Sequence, residues 1–510
     1  MPETISLFPQ PAFVVVSRKK SFFLDAVDCI SVPEKQYVPT AEQLREWLKG
    51  VTGKFPRIVT GQEPGEVEFR KSSLPLGEEG YTLSITPARC TIFSSGPKGA
   101  FYAFQTLRQL AENKKESLFC CHIEDKPAFS WRGVLLDSSR TFCPIDEMYR
   151  LVDLIASLKF NVLHWHLSDD QAWRIALDSY PELTGSCQDF YSKEEVRGLV
   201  DYSLKRNVCI VPEIDMPGHF LAALTAYPHY SCTGGPFDSP GKSGISSDIL
   251  CVGKDASLSF AAGIIKEICE LFPSPYIHLG GDEIPLGRWE ACPDCQKRKK
   301  ELGLSEEREL LSWFAGEMAK TVRKAGKHVI MWDDYIDESY DPAIISHSWN
   351  PLKPKPESVN KAGRVNIRSD YFRTYLDLDH TLISLKSVYS YGLQLQQLKN
   401  SGSALMGAEF LLWTEHIHTR AERDAHLFPR LIAGAQCLWT TTTEVRSRRL
   451  KKEYRRFKSN LKKAKGKVLP HKVTFTPGYK WDPPLFLHFL KKQKQKRKIL
   501  RNSREAGITL

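Results

Sequence analysis

The sequence predicts an α/β chain: a (β/α)8 TIM barrel, preceded by a small α/β (α+β) domain and followed by a basic C-terminal extension. Three observations predict it. After residue 130, eight short strand candidates occur with helix-period segments between most of them, the count that closes a parallel barrel. Polar residues stand just past the C-terminal ends of those strands, the face on which such a barrel carries its chemistry. Charge also divides the chain. Of a formal net +11, residues 446–510 hold 22 Lys and Arg against 3 Asp and Glu, which leaves −8 on the rest.

The first segment, 1–127, has short strand candidates at 13–16, 57–60, 67–69, 81–85 and 90–93. Helices are expected near 40–49 and 98–112. The second keeps one face apolar through Phe101, Phe104, Leu107 and Leu110. No chemically active residues cluster here, so the segment is expected to support the catalytic part.

The barrel is expected over 128–445. Strand 133–136 ends in Asp137 and is followed by Ser-Ser-Arg140. Pro144 opens a helix with Ile145, Met148, Leu151, Ile155 and Leu158 on one face. Strand 161–167 ends in Ser168-Asp169-Asp170. Ser192 caps a helix to 204, with Glu195 completing a capping box. Strand 208–214 ends in Asp215, before Pro217-Gly218-His219, and a Gly-, Ser- and Pro-rich loop spans about 226–249. Helix 256–272 leads into Tyr276-Ile-His-Leu-Gly-Gly-Asp-Glu283. Successive side chains of a regular strand face opposite ways, so Asp282 and Glu283 can share one pocket only if the strand breaks up at its glycines. Then come helix 307–325, strands 328–332, 343–349, 364–368 and 404–412, and helix 421–438.

The residues past the strand ends are Arg140, Asp169, His219, Asp282, Glu283, Trp332, Trp349, Tyr375, Asp377, Trp413 and Glu415. Carboxylates, an arginine and tryptophans on one face suit a sugar: the ring stacks on indole and the hydroxyls bond to the charged groups. Two carboxylates held close repel, so one keeps its proton near neutral pH and can serve as a general acid. His164 and His166, inside a strand, are read as packing or as support from behind the site, and Glu213 and Asp215, alternating on one strand face, as candidates for that support only. There is no HExxH, P-loop or dinucleotide fingerprint. No cofactor is expected, and no metal site among His219, His278 and the carboxylates. The 13 cysteines follow no disulfide framework. Cys292-Pro-Asp-Cys295 is a lone CxxC, read as a structural turn, with a zinc or redox role as the other reading.

The ordered set Arg132-Gly-Val-Leu-Leu-Asp-Ser-Ser-Arg140, Asn161-Val-Leu-His-Trp-His-Leu-Ser-Asp-Asp170, Pro212-Glu-Ile-Asp-Met-Pro-Gly-His219 and His278-Leu-Gly-Gly-Asp-Glu283 resembles the successive motifs of family 20 glycoside hydrolases, the β-N-acetylhexosaminidases. The resemblance continues through Trp332, Trp349, Tyr375-Leu-Asp377 and Trp413-Thr-Glu415, and covers about 128–440. The N-terminal segment also resembles that family's small non-catalytic domain. The resemblance implies exo-acting, retaining hydrolysis of terminal N-acetyl-β-D-hexosamine, with the substrate's own acetamido oxygen as nucleophile. It implies Glu283 as general acid and then base, Asp282 holding the acetamido group, and Tyr375 bonding its oxygen. Asp169 and His219 would tune Glu283. Arg140, Asp377 and Glu415 would grip the terminal sugar's hydroxyls, and Trp332, Trp349 and Trp413 would line its pocket. One departure stands out: where many relatives carry a further tryptophan, segment 384–393 has Tyr389 and Tyr391, which touches the outer subsite. The pair Asp333-Asp334 adds negative charge at the rim.

Two other functional classes stay open at this point: a catalytically silent barrel that binds N-acetyl sugars, and a protein whose basic tail binds an anionic surface. A disaccharide-releasing variant of the first reading is also open. The tail is expected to be a solvated terminus, with contact to anionic surfaces as the alternative; it lacks the aromatic interleaving of a specific nucleic-acid reader. No apolar run approaches the roughly 18 residues of a membrane span. The N-terminus shows no basic segment followed by an apolar one, so a cytoplasmic location is expected.

Overall fold

The computed structural model describes residues 6–61, 63–111, 117–185, 189–238, 241, 244–336, 339–350, 363–440, 447–464, 469–477, 481–482 and 484–505. The N-terminal strands are β1 (Phe13–Phe23), β2 (Cys29–Val32), β3 (Arg57–Thr60), β4 (Val67–Lys71), β5 (Tyr81–Ile85), β6 (Cys90–Ser94) and β7 (Ser117–Asp125). They form one mixed sheet in the order β1-β7-β5-β6-β4-β2-β3. Helices Val38–Thr52 and Pro97–Ala111 bury their apolar faces against it. Two strands, β2 and β7, escape a pattern reading. Both are interrupted by Cys, Ser or charged residues, and pairing with neighbours fixes them.

The second domain is a closed barrel of eight parallel strands. These are β8 (Trp131–Asp137), β9 (Val162–His166), β10 (Cys209–Glu213), β11 (Tyr276–His278), β12 (His328–Trp332), β13 (Ile345–Ser348), β14 (Asn366–Arg368) and β15 (Leu405–Leu412). Strand β15 closes on β8 from Gly407 opposite Trp131 to Leu412 opposite Leu136. All eight expected strands are present, each within a few residues. Ser192 caps helix Lys193–Leu204 through the expected box: its hydroxyl accepts from Glu195 N at 3.2 Å, and Glu195 accepts from Ser192 N at 2.8 Å. The expected helix 421–438 is two, Arg420–Leu427 and Arg430–Trp439, because Pro429 has no N–H to donate.

Buried charge joins the two domains. Arg132 of β8 makes a two-pronged bond with Glu79 at 2.7 and 2.9 Å, and Lys159 meets Asp125 at 2.9 Å. The basic extension is not simply solvated. Helix Ser447–Ala464 buries Tyr454, Phe457 and Leu461, and Tyr389 of helix Leu385–Asn400 packs on the Phe457 ring at 4.8 Å. Tyr391 of the same helix is fully buried. Segment 384–393 is therefore a packing surface for the extension, not the outer wall of a cleft. The last helix, Leu485–Glu505, crosses the C-terminal mouth of the barrel.

Candidate active site

Strand β11 stops at His278, and the chain leaves it through two glycines. Gly280 adopts φ +64°, and a Cβ there would lie 1.8 Å from Asp215 Oδ1, so no other residue fits without displacing that carboxyl. Glu283 at φ +46° and His219 at φ +49° also hold left-handed backbone. Such geometry is costly for a residue with a side chain and persists where packing enforces it. Its effect is to turn Asp282 and Glu283 into one cleft.

That cleft has a volume of about 640 Å³ and takes in ten of the eleven residues expected at the strand ends: Arg140, Asp169, His219, Asp282, Glu283, Trp349, Tyr375, Asp377, Trp413 and Glu415. The size suits a small ligand. The eleventh, Trp332, lies beneath it. Its indole is buried against the rings of His347 at 4.1 Å and Trp413 at 6.2 Å, and its Nε1 donates to Glu213 Oε1 at 2.8 Å. The structure adds Asp215, Tyr371 and His416 to the lining, Gly244 and Ile245 from the long loop, and Gln495, Lys498, Ile499 and Asn502 from the last helix.

Asp169 joins two cations. Its Oδ2 lies 2.5 Å from the Arg140 guanidinium, and its Oδ1 lies 3.1 Å from His219 Nδ1. Burial alone would raise its carboxyl, but Arg140 and His219 hold it well below the usual range. Burial likewise opposes a charge on His219, yet Asp169 and Asp282 outweigh it and hold the imidazole well above its ordinary value. Glu283 moves the other way. Burial, with Asp282 and Asp334 nearby, pushes it up to about 8 against the pull of His219. A quarter of this side chain stays open to the cleft, so a ligand that excludes water would strengthen the effect.

Asp215 and Asp282 form a pair with one proton to share. Burial raises both, and Asp215 rises further because Asp282, Glu213 and Asp169 surround it. Asp215, the more strongly raised of the two, is therefore the first of the pair to hold a proton. Burial, Asp282 and Asp377 hold the Tyr375 phenol well above its usual value, so it remains a donor. Burial and Glu415 raise Asp377 in the same way. Among the described residues, Asp282 Oδ1, Asp377 Oδ1 and His219 Nε2 are buried without a hydrogen-bond partner. Lining one cleft, these three atoms are open to a ligand's own polar groups.

Below the cleft lies a network that sequence reading reached only in part. Glu213 accepts from His166 at 2.7 Å and lies 3.1 Å from His164, whose other nitrogen is 2.9 Å from Glu409. Burial opposes charge on these rings, but the carboxylates push His164 up to about 9 and His166 up to about 10. His166 Nε2 in turn reaches Asp169 at 3.0 Å, which connects this floor to the cleft. Glu409 and His347 carry no sequence signal: Glu409 is one acid inside an apolar strand, and His347 sits in the short strand Ile-Ser-His-Ser with no motif around it. Asp334 has a role: it accepts from Trp349 Nε1 and so fixes that indole.

Another cavity, of about 680 Å³, lies where the helix Val38–Thr52 meets the barrel's outer surface. Its partly buried acid, Asp153, is engaged by Arg206 at 2.6 Å and His471 at 2.7 Å, so it offers no comparable chemistry.

The chain matches the family model for the catalytic domain of glycosyl hydrolase family 20 over residues 129–442, and that for the family's domain 2 over 4–126. A beta-hexosaminidase of Porphyromonas gingivalis is 34% identical over 86% of this chain, which spans 60% of that protein. The solved β-N-acetylhexosaminidase of Bacteroides fragilis superposes with a TM-score of 0.81 at 28% identity, covering 93% of this chain and 97% of that one. The Streptomyces plicatus β-hexosaminidase, solved with its product GlcNAc, gives 0.79 at 27% identity, covering 93% and 97%. With both domains matched in order and the whole barrel covered, the chain belongs to glycosyl hydrolase family 20.

Proposed function

We propose that the chain is an exo-acting β-N-acetylhexosaminidase that removes a terminal N-acetyl-β-D-hexosamine from an oligosaccharide or glycoconjugate. The observation that carries this reading is the placing of two adjacent carboxyls in one cleft beside Tyr375 and the Asp169–His219 pair. Glu283 is pushed up to about 8 and holds a proton, and of the neighbouring pair Asp215 is raised further than Asp282. Glu283 donates its proton to the glycosidic oxygen as that bond breaks. The acetamido carbonyl oxygen of the same sugar closes on the anomeric carbon, giving an oxazolinium ion. Asp282 accepts the acetamido N–H and stabilises the positive charge that develops, while the Tyr375 hydroxyl donates to the acetamido oxygen. Glu283, now a carboxylate, takes a proton from water as the water oxygen attacks the anomeric carbon. Two displacements leave the configuration retained. Arg140, Asp377 and Glu415 bind the terminal hydroxyls, and Trp349 and Trp413 wall the ring with Trp332 beneath them.

A carbohydrate is thus the partner of this cleft, and the last helix sits on its open side. Lys498 of that helix lines the cleft and brings positive charge to it, which favours substrates that carry an anionic group.

Hydrolysis of chromogenic N-acetyl-β-D-glucosaminide and N-acetyl-β-D-galactosaminide, against the plain β-glucoside, tests the reading. Turnover of the N-acetylated substrates alone, falling about 10²–10⁴-fold in Glu283→Gln, is the expected result. Binding of N-acetylglucosamine without turnover would leave a sugar-binding barrel instead. Turnover of a chitobiose-type aryl glycoside alone, releasing the disaccharide, would show the disaccharide-releasing variant.

A further inference from the structure

Cys292-Pro-Asp-Cys295 is not a lone pair. Two cysteines from the long loop, Cys232 and Cys251, come to meet it, and the four Sγ atoms lie within 4.8 Å of one another. The separations are 3.8 Å for Cys232 to Cys295, and 3.7 Å for Cys251 to both Cys292 and Cys295. A tetrahedral ion with metal–sulfur bonds of about 2.3 Å requires sulfurs about 3.8 Å apart. Disulfide bonding would require about 2.05 Å. We propose that Cys232, Cys251, Cys292 and Cys295 form a structural zinc site of the tetrathiolate class.

The surroundings fit a metal more closely than four packed thiols. Cys251, Cys292 and Cys295 are buried, and Cys232 is partly so. Cys292 caps the helix Pro293–Glu301 and Cys295 lies in its first turn, where unpaired N–H groups stabilise thiolates. The loop after Cys251 presses onto that turn so closely that a Cβ on Gly253 would lie 2.2 Å from the Asp294 carbonyl carbon. Four thiolates around a divalent ion leave a net −2. One cation over the same loops offsets part of that charge: Lys254 donates to Ser231 O at 2.8 Å, while Arg298, which donates to Gly253 O at 3.3 Å, is paired with Asp255. A closed set of four protein ligands leaves no open position for a substrate, so the site is structural.

Its place in the chain gives it a consequence for the cleft. Cys232 and Cys251 bracket the segment that carries Gly244 and Ile245 into the cleft wall. Within that segment Ser246 N donates to Asp170 Oδ2 at 2.7 Å, and Asp248 pairs with Arg288 at 3.0 Å. Cys292 lies nine residues after Glu283. A bound ion would therefore fasten both ends of the wall loop to the strand-end segment that bears Asp282 and Glu283.

Metal analysis of the full chain, purified under reductant and without chelator, tests this. One zinc per chain is expected, released in step with the modification of four thiols by an organomercurial on the folded protein. Replacement by cobalt(II) should give the intense visible and thiolate-to-metal bands of a tetrahedral tetrathiolate centre. In Cys292→Ser/Cys295→Ser the zinc should be lost. That variant is expected to raise KM more than it lowers kcat, because the wall loosens while Glu283 stays. If the variant fails to fold, the cobalt spectrum and thiol titration of the wild-type chain decide alone. A reduced wild-type protein that neither contains zinc nor takes up one equivalent of zinc or cobalt would overturn the proposal. So would two disulfides found by mass spectrometry in protein that takes up no metal after reduction.

Discussion

His219 Nε2 stands 3.8 Å from Glu283 Oε2, close enough for its charge to act on that carboxyl and too far for a hydrogen bond. The imidazolium lowers both Glu283 and Asp282. The pH profile of kcat/KM should therefore be bell-shaped. Its alkaline limb lies near pH 8, where Glu283 loses the proton it must donate. Its acid limb lies above the ordinary aspartate value, where Asp282 gains one. In His219→Gln the cation is gone, both carboxyls rise, and both limbs should move to higher pH. Limbs that stay in place would show that His219 acts by position alone.

The raised Glu283 also bears on stability. Its folded value is about 8 and an unfolded glutamate titrates near ~4.3, so its contribution is fully present below ~4.3 and is lost as pH rises to about 8. Gln does not titrate. Thermal melts should show Glu283→Gln more stable than wild type at pH 8, with the gap closing towards pH 4. An equal gap at both ends would place the effect in packing.

The pairing of Asp215 with Asp282 predicts a sharp contrast between two similar substitutions. Asp215 accepts from Gly281 N at 2.9 Å and, raised further than Asp282, is the first of the pair to hold a proton. An asparagine reproduces both bonds, accepting with its oxygen and donating with its amide. Asp215→Asn should keep kcat within about tenfold of wild type, whereas Asp282→Asn, which removes the needed charge, should lose about 10²-fold or more. Equal losses would mean that Asp215 is ionised in the working enzyme.

Gly280→Ala combines a positive φ with a clash against Asp215. The backbone strain alone costs about 1–3 kcal/mol. Activity should fall with stability, because relief of the clash moves Asp215 and with it Asp282. A melt unchanged from wild type would contradict the geometry.

How much of this was legible beforehand depended on what kind of contact held each residue. The barrel was readable because eight strand candidates recurred with polar residues just past their ends, and the phase of Arg140, Asp169, His219 and Glu283 survived intact in the cleft. Glu409 was not, since a single acid in β15 becomes meaningful only when His164 of β9, on the far side of β8 in the closed barrel, turns towards it. Cys232 and Cys251 were equally silent, being 63 and 41 residues from their partners. The extension was misread for a different reason. Its net charge suggested solvation, while its stability comes from a few apolar residues, Tyr454, Phe457 and Leu461, on one helical face.

The last helix supplies the final test. Gln495 Nε2 donates to the Tyr371 hydroxyl at 2.8 Å, which holds the helix against the cleft, and Lys498 lines the cleft. A charge in a cleft wall acts on a charged group that the substrate carries, and salt screens it. Lys498→Glu should leave kcat/KM for a neutral aryl N-acetyl-glucosaminide within twofold, roughly the scale of one exposed charge on a neutral ligand. For a sulfated aryl leaving group it should lower kcat/KM several-fold at ~0.02 M salt, and that difference should fade by ~0.5 M, where the Debye length is only about 4 Å. Gln495→Ala is the control for position: if it loosens the helix, both substrates change together at every salt concentration. Equal losses for the two substrates in Lys498→Glu would assign the helix a structural role and remove the preference for anionic substrates.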